Sequence, residues 1–285
     1  MVPSTEPIRL KVSIAKPSDR PPIARLCRRA SGRSDYILRI LPTVITRRGL
    51  FLAWNGTLLL GMTNFDKCID GSGWLSMART DPDWRRRGVA IFLQRRIATY
   101  AKQRGVGTLR LWALSDNRPS LRACEKGGFK PVCEAIHISS NLRTAKTRKN
   151  VHAASPSQAQ LRSFLKSPYV NKTRGYIGYR RHFMKLTEHL LTLLRDKNEL
   201  YFAGDSALLV SRPDWTFGVP QSSFAILQGP ISNSLSEGKV IARGLGARVL
   251  SGYIPYSRYE MLVARSLGFR RRSWGRHCVV LEKKI

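Results

Sequence analysis

The sequence has few acidic residues. Its 285 residues include 18 Asp and Glu against 50 Lys and Arg, which gives a formal net charge of +32. A positive field of that strength attracts polyanions, yet no stretch has the composition of a known RNA-binding module. Two interpretations stay open: contact with RNA, DNA, ribosomes or another acidic partner, and cationic faces that meet only solvent.

Cysteine is also scarce, and long apolar runs are missing. None of the five cysteines forms a CxxC pair, and the histidines do not complete a zinc pattern, so we expect reduced thiols and no metal. No apolar run approaches the length that spans a bilayer, and the N-terminus does not resemble a signal peptide. These absences predict a cytoplasmic protein without membrane contact. The apolar content of 42% is sufficient for a packed core.

The first 142 residues alternate between strand and helix patterns, which predicts an α/β fold. One helix should bury Ile23, Leu26 and Cys27 on a single face, and Asn55-Gly56 should form the turn of a hairpin. The predicted strands are 8–14, 51–54, 57–62, 74–80, 108–114 and two short strands within 129–142; the predicted helices follow residue 19 and cover 34–47, 88–104 and 120–126.

The second half resembles the first. Residues 51–60 recur at 201–210, Gly105-Val106-Gly107 recurs as Gly244-Leu245-Gly246, and Gly128-Phe129 recurs as Gly268-Phe269. These matches favour a duplication over chance, with domains at 1–142 and 158–285 joined by a basic linker at 143–157. The offset falls from 150 to 139 residues, so the second copy lacks part of the segment equivalent to 74–105.

The segment 74–90 has the pattern of a strand, a tight loop and a helix. The first turn of a helix exposes unpaired N–H groups and the positive end of the helix dipole. Gly88 and Ala90 let an anion approach the backbone, and Arg85, Arg86 and Arg87 add cations. This combination predicts a cradle for a pyrophosphate or another phosphate. The alternative is a basic turn that is only solvated.

The same segment resembles the main motif of the GNAT superfamily of acyl-CoA-dependent N-acetyltransferases. That motif is a strand, a Pro-containing loop, and Arg/Gln-x-x-Gly-x-Gly/Ala at the start of a helix. Pro82, Arg85, Gly88 and Ala90 fill it. The later elements follow in the family's order: the helix, the strand 109–112, Asn117, and a short helix that ends in 125–129. The resemblance therefore covers residues 1–142.

The resemblance implies a mixed twisted sheet flanked by helices, in two tandem copies of which the second lacks the cofactor loop. It implies transfer of acetyl from acetyl-CoA, or of a longer acyl group, to a primary amine by direct attack. The amine acceptor is a small molecule or a protein. The implied cofactor-binding residues are Ala78, Arg79 and Thr80 for the pantetheine arm, Arg85, Arg86, Arg87, Gly88, Val89 and Ala90 for the pyrophosphate, and Asn117 near the pantetheine.

The catalytic residues are less well defined. Where many family members carry a Tyr as general acid, this sequence has Cys124, which either donates a proton or is a small buried hydrophobe. Glu134 is our candidate base, with Asp66 and His137 as alternatives. Asp81 and Asp83 are more typical of helix caps or partners of Arg.

A rival hypothesis is a catalytically silent GNAT-like protein that binds nucleic acid or ribosomes through its charge. An aromatic and basic set in the second half, made of Tyr253, Tyr256, Tyr259, Trp274 and 270–272, is compatible with such a surface. The alternative is that these aromatics belong to the core beside a solvated Arg run.

Overall fold

A computed structural model describes residues 9–145, 152–215, 218–272 and 276–285. Trp274 and part of the predicted linker, residues 146–151, therefore lie outside the described residues. The first half alternates strands and helices as predicted. Its elements are β1 (Leu10–Ile14), α1 (Arg20–Ser31), α2 (Ile37–Thr46), β2 (Leu50–Asn55), β3 (Leu58–Lys67), β4 (Gly73–Thr80), α3 (Val89–Lys102), β5 (Thr108–Leu114), α4 (Arg118–Lys126) and β6 (Lys130–Asn141).

The second half begins with two short helices and a hairpin, and then also alternates strands with helices. Its elements are α5 (Gln158–Leu165), α6 (Pro168–Asn171), β7 (Tyr176–Tyr179), β8 (His182–Lys185), α7 (Glu188–Asp196), β9 (Leu200–Ala203), β10 (Ser206–Val210), β11 (Gln221–Gln228), α8 (Ile231–Gly244), β12 (Val249–Pro255), α9 (Arg258–Ser266), β13 (Arg270–Arg271) and β14 (Cys278–Lys284). Within the described residues, no helix is both long and apolar enough to cross a bilayer.

A single mixed sheet runs through both halves. Its order is β1-β2-β3-β4-β5-β14-β6-β12-β11-β10-β9, with β13 paired to β6, while β7 and β8 form a separate hairpin. The last strand of each half pairs with a strand of the other half: β14 pairs with β5, and β6 pairs with β12. These two final strands also pair with each other at the centre of the sheet.

The prediction for the segment 129–142 is wrong in the number of strands. The segment was expected to contain two short strands, but it forms the single long strand β6. Pairing along both of its edges explains the difference. β12 pairs with the stretch from Ala135 to Asn141, and β14 pairs with the stretch from Lys130 to Ala135. Backbone groups along the segment thus find partners without a turn.

The two faces of the sheet carry different layers. Successive residues of a strand point to opposite faces, and in β4 Leu75 packs with the core under α3 and α4. The preceding residue, Trp74, packs with the core under α5, α7 and the β7–β8 hairpin. We call these the α3 face and the hairpin face. α1 and α2 cover a smaller core that contains Leu52 and Met62, and α1 buries Ile23, Leu26 and Cys27 as predicted.

Candidate active site

The parallel strands β4 and β5 separate soon after they meet. Their ladder contains two pairs, Gly73 with Leu109 and Trp74 with Arg110, although both strands continue well beyond them. Met77 has a φ of 57°, and the register between β3 and β4 shifts at this point. Such a bulge bends a strand and ends its pairing. We call the resulting wedge between the carboxyl ends of β4 and β5 the fork.

Two other parallel strands, in the second half, stay paired for longer. β11 and β12 also run parallel, and their ladder extends over four pairs, from Gln221 with Val249 to Phe224 with Gly252. Phe224 is 1% exposed and packs against Phe269. β11 and β12 thus stay paired over twice as many positions as β4 and β5 do.

The start of α3 lies beside the fork with its first turn uncapped. Gly88 is the N-cap residue with a φ of 81°, and no side chain caps the helix. A Cβ atom built on Gly88 would meet nothing within 4 Å. Val89 is buried and packs so closely on Gly61 that a Cβ atom there would lie 2.7 Å from its Cγ1. Packing of Val89 on β3 thus fixes the helix start, while no side chain caps its first N–H groups.

Three exposed arginines surround this helix start. Arg85 donates to the carbonyl of Ala30 at 3.1 Å, and the guanidinium of Arg87 lies 5.0 Å from the centroid of the Trp84 ring. Arg86 adopts a φ of 64°. The loop therefore presents positive charge next to a helix N-terminus, an arrangement that favours an anion.

Arg29 anchors the loop from the last turn of α1. Its guanidinium donates to both carboxylate oxygens of Asp81, at 2.7 and 3.1 Å, and to Asp83 at 2.8 Å. Burial alone would raise the pKa of Asp81, but hydrogen bonds from Arg29 and from the Asp83 amide hold it below its ordinary value. Both aspartates thus pair with Arg, as expected. Sequence reasoning missed Arg29, because the pattern around it is that of an ordinary helix end.

A second ion pair fixes β4 within the predicted cofactor segment. Arg79 forms a bidentate pair with Asp35 at 2.7 and 2.8 Å, and the Asp35 side chain is completely buried. Because the Arg79 guanidinium is bound to Asp35, a ligand at this position would contact the backbone of Arg79 and not its side chain. Neighbouring Thr80 lies opposite Gly61 of β3, and Ala78 lies within the bulge.

Asn117 holds the start of α4 at the end of β5. Its side chain accepts a hydrogen bond from the amide of Ser120 at 3.2 Å and so caps the helix. The residue itself is exposed.

The structure places Cys124 in the core of the α3 face. The residue is 3% exposed, and the Gln94 amide donates to its sulfur at 3.8 Å. Burial raises the pKa of the thiol to about 11. A buried thiol with such a high pKa is a poor acid at neutral pH, so this position favours the packing role over proton donation.

The candidate bases occupy different places. Glu134 lies on β6, separated from β5 by β14, and its carboxylate is 3.4 Å from Nε2 of His277. His137 stacks on Tyr253 with ring centroids 4.6 Å apart, and burial lowers its pKa to about 4. Asp66 alone lies beside the fork, since it is directly opposite Trp74 in the ladder of β3 and β4.

The aromatic and basic set of the second half does not form one surface. Tyr253 is 8% exposed and belongs to the core of the hairpin face. Tyr256 and Tyr259 are exposed, and Trp274 lies outside the described residues. Among the residues that the structure describes, no group of three or more His, Cys, Asp or Glu is arranged to hold a metal ion.

Comparison with known proteins identifies a family for part of the chain and a shared fold for nearly all of it. Residues 26–129 match the model of the Acetyltransferase (GNAT) family, whereas a search of curated proteins finds no match. A proposed acetyltransferase from Thermoplasma acidophilum is 13% identical and aligns over 96% of this chain and 100% of its own, with a TM-score of 0.61.

Two further solved structures are similar over nearly the whole chain. A GCN5-related N-acetyltransferase from Sphaerobacter thermophilus is 15% identical, with 98% of this chain and 97% of its own covered and a TM-score of 0.56. A proposed acetyltransferase from Pyrococcus horikoshii is 15% identical, with 100% and 92% covered and a TM-score of 0.56. These likenesses show a shared fold, and nothing in them favours a nucleic-acid partner. Because of the family match, the chain contains a GNAT acetyltransferase domain within residues 26–129 and is an acyltransferase that acts on amines.

Proposed function

We propose that the chain transfers an acetyl group from acetyl-CoA to a primary amine by direct attack, with one donor site in the first half. The observation that carries this proposal is the fork, which opens beside the uncapped start of α3 and its three arginines. A helix N-terminus suits a diphosphate, and a gap between strands suits an extended arm that ends in a thioester.

The residues present fit such a donor. The N–H groups from Arg85 to Ala90 would hold the diphosphate, and the free edge of β4 from Ala78 to Thr80 would pair with the pantetheine arm. Asp81 and Asp83 would otherwise repel an anion, but Arg29 pairs with both and offsets one of their two negative charges. The positive charges of Arg85, Arg86 and Arg87 outweigh the other. When bound, acetyl-CoA supplies an acetyl group activated as a thioester. Asn117, which caps α4 at the end of β5, would keep that side of the fork in place.

We infer that the second half is a degenerate copy of the first, with domains at 1–142 and 158–285 and a linker at 143–157. The mirrored strand order supports this inference, because β2-β3-β4-β5 and β9-β10-β11-β12 approach the centre of the sheet from opposite edges. Residues 81–88 separate β4 from α3, whereas residues 229 and 230 alone separate β11 from α8. The short connection leaves no cationic loop at the start of α8.

The acceptor is a small-molecule or protein amine. We also propose the cytoplasm as the compartment, supported by five buried cysteines that remain unpaired.

Isothermal titration of acetyl-CoA tests the donor site. We compare the wild type with an Arg87→Glu/Gly88→Asp variant, and with Arg95→Glu, which makes the same Arg-to-Glu reversal at an exposed position of α3. We expect micromolar binding that the double variant weakens by about 100-fold, since two charge-assisted contacts worth roughly 1.5 kcal/mol each are lost. Arg95→Glu should bind like the wild type.

Two ligand controls make the test specific. Desulfo-CoA probes the contribution of the thioester end, and ADP probes simple anion binding. Binding that ADP matches and that moderate salt abolishes would identify a nonspecific anion patch, and the enzyme proposal would then fail.

A further inference from the structure

One imidazole of the second half lies at the fork of the first. The rings of His182 and Trp74 have centroids 5.7 Å apart. Trp74 is the last residue of β4 that pairs with β5, so His182 lies where the two strands begin to separate. It approaches from the hairpin face, whereas α3 covers the opposite face. A donor held at the start of α3 and the imidazole of His182 would therefore meet across the fork.

His182 combines partial burial beside the fork with ring nitrogens that have no hydrogen-bond partner among the described residues. No described residue forms a hydrogen bond with them, and the side chain is half-buried. His277 contacts Glu134, and His137 is stacked on Tyr253. His152 and His189 are exposed on the surface. His182 is thus the free imidazole that borders the fork within the described part of the chain.

We propose that His182 accepts the proton of the attacking amine, so that the second half completes the active site of the first. This inference rests on the proposed acetyl transfer. The amine nitrogen forms a bond to the acetyl carbon and gives one proton to the imidazole. The carbon–sulfur bond breaks, and its electron pair leaves with the sulfur. The acceptor consequently enters from the hairpin face, between the β7–β8 hairpin and the sheet.

The charges around His182 are compatible with this role. Burial lowers the pKa of His182, Asp66 and Asp70 oppose that effect, and Arg181 and Arg180 add to it. The imidazole is therefore neutral at pH 7 and able to take up a proton. Asp66 accepts a hydrogen bond from Asn64 at 2.7 Å, and its carboxylate lies on the same side of the fork, where it would stabilise the imidazolium that forms.

The hairpin is held firmly enough to position a side chain. Its turn residues, Arg180 and Arg181, have φ values of 49° and 69°. Arg180 pairs with Glu199, and Arg181 pairs with Asp214 at 3.0 Å. Gly178 lies against the Tyr253 ring so closely that a Cβ atom would be 2.5 Å from it. Ion pairs and close packing thus fix His182 relative to the sheet.

Chemical modification tests the position of His182. Diethylpyrocarbonate reacts with neutral imidazoles, and mass spectrometry resolves each histidine. We expect saturating acetyl-CoA to slow modification of His182 by at least about tenfold, because the thioester end of the bound arm fills the fork beside the imidazole, while exposed His189 reacts at an unchanged rate. If acetyl-CoA binds and His182 reacts as fast as before, the inference is overturned while the proposed donor site stands. If acetyl-CoA does not bind the wild type, both fail.

Kinetics test the role of His182. With an equimolar mixture of alkyl, aryl and amino-sugar primary amines as acceptors, His182→Gln should lower kcat by about 100-fold and leave the Kd for acetyl-CoA within about twofold of the wild-type value. Added imidazole should restore activity to His182→Ala, which a purely structural role would not predict. His189→Gln is the matched control. Wild-type turnover by His182→Gln would overturn the inference, and if no amine in the mixture is acetylated by the wild type, the modification result decides.

Discussion

Arg110 closes the narrow end of the fork with a buried ionic network. Its guanidinium donates to Glu282 at 2.7 Å, to Asp70 at 2.6 Å and to Ser72 at 2.9 Å. The side chains of Arg110 and Asp70 are only 5% and 6% exposed. Arg110 lies opposite Trp74 in one ladder and opposite Glu282 in the other. One side chain thus ties together β5, the loop after β3, and the final strand β14.

We predict that Arg110→Met destabilises the protein by about 3–5 kcal/mol, since it leaves buried carboxylates without their cation. Urea unfolding measures the loss as a shift of the midpoint at constant m-value. Arg95→Met makes the same substitution at an exposed position of α3 and should stay within about 0.5 kcal/mol of the wild type. Adding Asp70→Asn and Glu282→Gln to Arg110→Met should recover much of the loss, because no unpaired charge then remains.

The pH dependence of this network has a definite sign. Burial alone would raise the pKa of Glu282, but hydrogen bonding to Arg110 holds it below its ordinary value of 4.5. The stabilisation is therefore complete above pH 4.5 and is lost as the pH falls through the lowered pKa of the folded protein. The stability difference between the wild type and Arg110→Met should narrow on acidification. The prediction is refuted if Arg110→Met lowers the free energy of unfolding by less than about 1 kcal/mol. It is also refuted if the stability difference between Arg110→Met and the wild type does not change with pH.

Two further predictions concern the α3 face. Gly61→Ala should raise the Kd for acetyl-CoA about tenfold, because the added Cβ displaces Val89 and with it the first turn of α3. Titration calorimetry measures this Kd. Gly107→Ala is the control and should bind normally, because a Cβ atom there meets nothing within 4 Å. Cys124 should resist iodoacetamide at pH 8 in the native protein, since burial raises its pKa to about 11. Mass spectrometry of native and guanidinium-unfolded samples checks this, and equal rates of alkylation would contradict it.

Local patterns predicted the parts of the fold that local physics determines. The alternation and turn residues around β5 predicted its bounds of Thr108–Leu114. The Asn55-Gly56 turn also forms as predicted, with Gly56 at a φ of 57°, because the tight turn of a hairpin requires a residue that tolerates positive φ. The family resemblance implied a mixed twisted sheet flanked by helices, and the single mixed sheet agrees with it.

The partners of these elements could not be predicted, because long-range pairing has no local signature. Nothing near residues 278–284 indicates that they lie between β5 and β6. The ion pair of Arg29 with Asp81 joins residues that are 52 positions apart, and His182 reaches the fork from the other half of the chain. For the same reason the candidate base Glu134 was selected by its residue type, whereas the structure places it two strands away from the fork.

The exchange of final strands has a consequence for how the protein is made. A ribosome that has completed residues 1–142 has not yet produced β14, so β5 and β6 lack the strand that lies between them. The emerging first half would expose two open sheet edges until the end of the second half arrives. Such pairing between distant segments is slow. The two halves should therefore reach the native state together, late in synthesis. Until then a chaperone that covers the open sheet edges would protect the emerging chain from aggregation.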